Sequence, residues 1–172
     1  MNRLLRWRAR LAGIALCATL AACTGLGSSA ADEVSIYYID AQPAVIKRAS
    51  PVRAALVVGV PRAWPGFETS RMVYVRQPYE LEYFSKRRWA DAPARMLLPL
   101  LVRTLEQSGV FAAVVHSPGA IAGTLRLDTE LVRMQQEFAG GRSQVRVTLR
   151  VQLIDANERR VIGAREFDEV EA

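Results

Sequence analysis

Residues 125–153 read LRLDTELVRMQQEFAGGRSQVRVTLRVQL, and their rhythm sets the fold. Leu125, Leu127, Thr129 and Leu131 alternate with Arg126, Asp128 and Glu130. Val145, Val147, Leu149, Val151 and Leu153 alternate with Gln144, Arg146, Thr148, Arg150 and Gln152. A period of two puts alternate side chains on opposite faces of a strand. The stretch therefore predicts an antiparallel hairpin with one buried and one wet face, turning at Gly140-Gly141. Past Leu131 the apolar positions slip to Val132 and Met134, the signature of a bulge. Asp155-Ala156-Asn157-Glu158 then predicts a second turn, and 160–167 (RVIGAREF) a third strand of the meander.

Working outward, 34–39 (VSIYYI) is β-branched and aromatic and reads as a strand. After a loop holding Pro43 and Pro51, 54–60 (AALVVGV) is a continuous apolar run, as expected of a central strand covered on both faces. Pro61, Pro65 and Gly66 predict a loop, 71–76 (RMVYVR) a strand, and 80–84 (ELEYF) its hairpin partner after Gln77-Pro78. Asp91 and Pro93 predict the start of a helix that Gly109 stops near Ser108. Ala94, Leu97, Leu98, Leu101 and Leu105 form one stripe, and Pro99 inside it predicts a kink or a shifted start. Residues 111–115 predict another apolar strand. The expected class is α/β (α+β), a mixed, largely antiparallel sheet with a C-terminal β-meander and helix cover on one face.

The N-terminus is of another kind. Arg3, Arg6, Arg8 and Arg10 precede an uncharged run over 11–22, too short for a comfortable membrane span and shaped like a secretory signal peptide. Leu20-Ala21-Ala22-Cys23 fits a lipobox, so Cys23 is expected to become the first mature residue and to carry diacylglycerol and an N-acyl chain. One chain holds a protein only marginally, whereas two or three on one residue hold it firmly. Residues 1–22 are thus the expected signal peptide, 23–33 a flexible lipidated tether, and 34–172 a single periplasmic domain. Thr24, rather than an aspartate, follows the cysteine, which by analogy with enteric lipoproteins points to the outer membrane.

Removing the signal changes the charge argument. Four of the 23 Lys+Arg residues precede Cys23 and none of the 17 acids does, leaving 19 basic against 17 acidic residues, or +2. Only Lys86-Arg87-Arg88 is a basic cluster, so a nucleic-acid partner is not expected. The only cysteines are Cys17 and Cys23, so the mature domain has none for a disulfide or thiolate-metal site and relies on its core. The 150 residues from Cys23 to Ala172 suffice for one such core.

Together the lipobox, the Tyr37-Tyr38-Ile39-Asp40 strand, the apolar strand closing on Pro61, Arg71-Met72-Val73-Tyr74-Val75-Arg76, Glu82-Tyr83-Phe84, Trp89 before a helix, and the Arg/Gln-faced hairpin resemble one family. It is the ABC-type transport auxiliary lipoproteins, which include the lipoprotein of the paraquat-inducible system. The resemblance covers about 34–167. It implies a non-enzymatic outer-membrane lipoprotein that docks an MCE-domain periplasmic protein and an ABC transporter or related inner-membrane component, moving lipids across the periplasm. It further suggests a homo-oligomer. Family members usually continue into a C-terminal amphipathic helix, which is not expected within residues 1–172. The alternative is a periplasmic module that binds lipid or another small hydrophobic ligand and carries the cargo itself.

Catalytic chemistry finds little to build on. His116 is the only histidine, no G-x-S-x-G frames a serine, and no glycine-rich phosphate loop occurs. His116 reads as an exposed loop residue, and Asp168 and Glu169 as a solvated tail. No enzyme activity, metal or cofactor is expected beyond the acyl groups. Tyr79, Tyr83, Phe84 and Trp89, interleaved with Lys86, Arg87 and Arg88, form an aromatic and basic cluster in an apparently irregular segment. It is either a plug over the sheet edge or a partner contact, since aromatics and arginine favour interfaces. Arg146, Arg150 and Gln152 read as a solvated face that could also meet a neighbouring subunit.

Overall fold

The computed structural model describes residues 33–41, 52–116 and 124–172. Cys23, the signal peptide, residues 23–32 of the tether and the Pro43/Pro51 loop lie outside the described residues. Along the described chain run β1 (Ser35–Tyr37), β2 (Val52–Val58), β3 (Arg62–Ala63), β4 (Arg71–Val75), β5 (Glu82–Trp89), α1 (Pro93–Ser108), β6 (Phe111–His116), β7 (Leu125–Ala139), β8 (Arg142–Asp155) and β9 (Arg160–Glu171). Residues 34–172 form one compact unit.

The hairpin read first from the sequence is the spine of the sheet. β8 pairs antiparallel with β7 from Leu125↔Asp155 to Ala139↔Arg142, and the register skips at Val132, between Leu131 and Arg133. That skip is the bulge the slipped apolar pattern predicted. Gly140 and Gly141 both take positive φ (59° and 77°), as a two-residue hairpin turn of matching twist requires. Because β8 occupies one edge of β7, β2, β3 and β4 share the other in succession, pairing parallel at Leu125, Glu130 and Gln135 onward. The path runs β1-β5-β4-β7-β2-β6, with β8 and β9 continuing from β7. The sheet is mixed, with its longest ladders antiparallel.

Helix α1 follows its stripe. Pro93 opens it, and Gly109, at φ 64°, closes it by donating its N–H to the Glu106 carbonyl at 3.1 Å. The helix continues through Pro99 as one element. Asp91 is not the N-cap as expected: that position is Ala92, with no side-chain cap bond. Instead Asp91 Oδ1 accepts from the Ala92 N–H at 2.7 Å, and Oδ2 from Arg95 Nε at 2.7 Å. Ala94 is buried with Phe67, Val73 and Leu131, and Leu97, Met134, Val147 and Leu149 pack around them. The apolar row of the hairpin therefore meets the helix. Leu56, Val58 and Leu131 are fully buried, each contributing about 1.5–3 kcal/mol by leaving water.

Three expectations are corrected by pairing. The segment expected to be irregular after Phe84 is strand, since β5 runs from Glu82 to Trp89. β1 pairs with it in parallel, Ser35↔Arg87 through Tyr37↔Trp89, while the charged side chains of 86–88 stay exposed. The third meander strand continues past Phe167 to Glu171, so Asp168 and Glu169 are in the ladder opposite Thr148 and Val147. His116 is exposed, but it ends β6, held opposite Val58, rather than lying in a loop.

Candidate functional site

The β4–β5 pairing is the least regular in the sheet. Val73 pairs with Tyr83, yet Arg71 pairs with Arg88, so β4 advances two residues while β5 advances five. Residues 84–87 form a bulge, which re-aims the side chains it carries. Beyond it the strand is recaptured from both sides. The Trp89 N–H donates to the Ser70 carbonyl at 2.7 Å, and the Ala90 N–H to Tyr37 at 2.6 Å.

The bulge distributes the aromatic and basic residues singled out in the sequence. Tyr83 is half-buried against the core, with the Arg71 guanidinium 3.6 Å above its ring. Phe84 stacks tilted on Tyr74 at 4.6 Å, and Arg87 approaches its ring to 5.5 Å. Trp89 is half-buried and shares an apolar cleft of about 160 Å³ with Met72, Phe84, Met134 and Val145. Arg88 is exposed beside Arg71. Tyr79 is elsewhere. It sits in the β4–β5 loop, fully exposed at 105% and in the left-handed region (φ 68°). There it helps line an open groove of about 460 Å³ with Trp64, Phe67, Leu81, Val132 and Phe138. The six residues thus split into three half-buried aromatics (Tyr83, Phe84, Trp89), two exposed arginines (Arg87, Arg88) and a strained loop tip (Tyr79).

Sequence reasoning missed the polar anchor beside them. Tyr74 Oη donates to Glu82 Oε2 at 2.9 Å, and Arg76 Nε donates to Glu82 Oε1 at 2.6 Å. The bond from Arg76, with that from Tyr74, holds the Glu82 carboxyl below its usual range; the bond to Glu82 raises the Tyr74 phenol. Phe138 meets Tyr74 edge-on at 6.0 Å. The signal was available: alternation in 71–76 puts Tyr74 and Arg76 on one face. β1 adds exposed Ile36 at the same edge of the sheet, and exposed Tyr38 directly follows it. After β1, Arg103 on α1 donates to the Ala41 carbonyl at 2.7 Å and lies 3.6 Å from Asp40, pinning the segment.

The wet face of the hairpin is an ionic ladder rather than simply solvated. Arg150 Nη2 donates to Glu166 on β9 at 2.9 Å, its Nη1 lies 3.9 Å from Glu130 on β7, and its guanidinium is 5.5 Å from the Trp64 ring. Arg146 lies 3.5 Å from Glu137 and 3.9 Å from Asp168, which also accepts from Thr148 at 2.6 Å. Burial pushes Glu137 upward, but donation by Gln144 and Gln135 outweighs it and keeps the carboxyl below its usual range. Gln152 is exposed in this face, opposite Asp128. Among the described residues, no three His, Cys, Asp or Glu side chains are grouped to hold a metal ion, and no helix is long and apolar enough to cross a membrane.

A mixed sheet of this kind, covered by one helix and carrying a bulged aromatic strand next to its edge, defines an α+β domain whose distinctive chemistry is surface chemistry. Over residues 37–172 the sequence matches the model of the ABC-type transport auxiliary lipoprotein component family, and the chain belongs to that family. Among solved structures it is similar to protein XCC0632 from Xanthomonas campestris, of the DUF330 family. The two share 26% identity at a TM-score of 0.71, over 80% of this chain and 78% of that one. An uncharacterized protein at 16% identity and TM-score 0.60, over 81% and 80% of the two chains, shares the fold. No curated protein matches the sequence.

Proposed function

We propose that this auxiliary lipoprotein is anchored by acyl chains on Cys23 to the periplasmic face of the outer membrane, as a non-enzymatic docking subunit of an MCE-type ABC lipid transport system. The observation that carries the reading is the match to the transport auxiliary family over 37–172, downstream of the Leu20-Ala21-Ala22-Cys23 lipobox. Docking is assigned to the β1–β5 edge. There Arg87 at the end of the bulge and Arg88 just past it are exposed, and Ile36 and Tyr38 stand uncovered nearby. Arginine and aromatic side chains carry much of the energy of protein interfaces. β1 also begins two residues after the tether, so the anchored end and the docking edge are close in sequence.

The test is affinity purification of the native lipoprotein from membranes, with mass spectrometry of the proteins and lipids that accompany it. An MCE-domain protein recovered without stoichiometric lipid supports docking. Lipid recovered at one per chain without a protein partner supports the cargo-carrying alternative and sinks the docking role.

A further inference from the structure

Five arginines on or beside the sheet are matched by acids: Arg62 by Glu130, Arg76 by Glu82, Arg126 by Asp128, Arg146 by Glu137 and Arg150 by Glu166. Toward the β1 edge the matching stops. Arg71, Arg87 and Arg88 are all exposed, and among the described residues none of them meets a carboxylate. Two of them contact aromatic rings instead, Arg71 over Tyr83 at 3.6 Å and Arg87 beside Phe84 at 5.5 Å.

The register arranges these charges around an unpaired stretch of main chain. β1 is the last strand on this side of the sheet and pairs only with β5 among the described residues. Ile36 is opposite Arg88, and Arg88 is opposite Arg71, so the three side chains stand on one face. Arg87, one residue earlier and opposite Ser35, belongs to the other face. Tyr37 accepts from the Ala90 N–H at 2.6 Å, so its main-chain groups point at β5 and those of Ile36 point away. The edge therefore offers one main-chain donor and one acceptor at Ile36, with guanidinium groups on both faces beside it.

We propose that an acidic, extended segment of the transport partner adds to β1, pairing its main chain with Ile36 and directing carboxylates to both faces. One carboxylate is received by Arg88 and Arg71, and its sequence neighbour by Arg87. Successive residues of a strand point to opposite faces, so the segment carries two adjacent acids. This rests on the docking role proposed for the edge and names the chemistry of its partner. Strand addition draws affinity from main-chain bonds and selectivity from the side chains on each face. A carboxylate at the Arg71–Arg88 rung also removes a like-charge repulsion that the free protein carries. Bonds of this kind, with both groups ionised, are the stronger class. A lipid surface fits less well, because a headgroup layer offers anions but no main chain to pair with Ile36.

In the experiment the full-length lipoprotein in detergent captures its partner from a detergent extract of envelope membranes, and a water-soluble carbodiimide is then added. The reagent joins a carboxylate to an amine as an amide and leaves as a urea, so Arg88→Lys supplies the amine where the acid is expected. The expected product links position 88 to an Asp or Glu of an MCE-domain protein, with a second acid beside it in that sequence. Arg87→Gln with Arg88→Gln is expected to weaken capture roughly two- to thirtyfold, from two exposed charge contacts. Both side chains are exposed, so an unchanged melting curve shows that the fold survives. An MCE-domain protein captured equally by the double variant, with no link at position 88, overturns the acidic segment and leaves docking to another surface. Recovery of no such protein by the wild type overturns the docking role and this inference with it. A Cys23→Ala chain that floats with phosphatidylglycerol vesicles through Arg87 and Arg88, while capture ignores both, assigns the arginines to lipid and also overturns the proposal.

Discussion

Arg71 on β4 and Arg88 on β5 are register partners, so two permanently charged guanidinium groups are assigned to one rung of an antiparallel ladder. Arg71 is drawn over the Tyr83 ring at 3.6 Å, a cation–π contact that partly offsets the repulsion. Arg88 stays exposed. A rung that opposes the stability of its own strand pair is expected where the surface serves a partner.

Replacing Arg88 by Glu turns that rung into an opposite-charge pair. The expected gain in stability is about 0.2–1 kcal/mol, read as a raised midpoint in urea unfolding. The same variant is expected to lose capture of the transport partner. Greater stability with capture intact would remove Arg88 from the docking edge.

Tyr79 is fully exposed at a loop tip. Tyr79→Ala is expected to leave stability within about 0.5 kcal/mol of wild type and, because Tyr79 lies away from the β1–β5 edge, to leave partner capture intact; lost capture in a pull-down would extend the docking surface to this loop. A substantial loss of melting temperature would make it a structural residue.

Asp91 supports the start of α1 and carries a pH dependence. Hydrogen bonds from Arg95 and the Ala92 N–H lower its carboxyl from 3.8 to about 2. A depressed folded-state pKa gives stability that is present above the unfolded value and lost as pH falls through the folded one. Asp91→Asn is therefore expected to be less stable than wild type at neutral pH. The difference in melting temperature should close between about pH 4 and pH 2. A difference that stayed constant across that window would assign the loss to geometry rather than ionisation.

Leu131 joins the hairpin to the helix at the centre of the core and is fully buried. Leu131→Ala is expected to cost about 2–5 kcal/mol, measured by denaturant unfolding. A loss under about 1 kcal/mol would show that the space collapses and that the packing is not centred there.

The parts of the fold legible in the sequence were those with local periodicity. The alternation over 125–153 located both strands, the glycine turn and the bulge at Val132, and the leucine stripe located α1. What was not legible depended on distant partners. Lys86-Arg87-Arg88 looks like a loop until β1 pairs with it, an interaction spanning some fifty residues. The Asp168-Glu169 segment looks like a tail until Thr148 and Arg146 meet Asp168 from β8. Arg150 looked solvated because its acids lie on two other strands. The aromatic cluster reads as one patch in the sequence, but a five-against-two slip between β5 and β4 divides it.

Membrane attachment rests on acylation of Cys23, and intact-mass measurement of the mature protein extracted from membranes tests it directly. The expected species begins at Cys23 and carries the mass of a diacylglycerol with an N-linked acyl chain, while Cys23→Ala yields an unacylated protein in the soluble periplasmic fraction. A wild-type protein with no fatty acid, or one whose first residue lies after position 23, would contradict it.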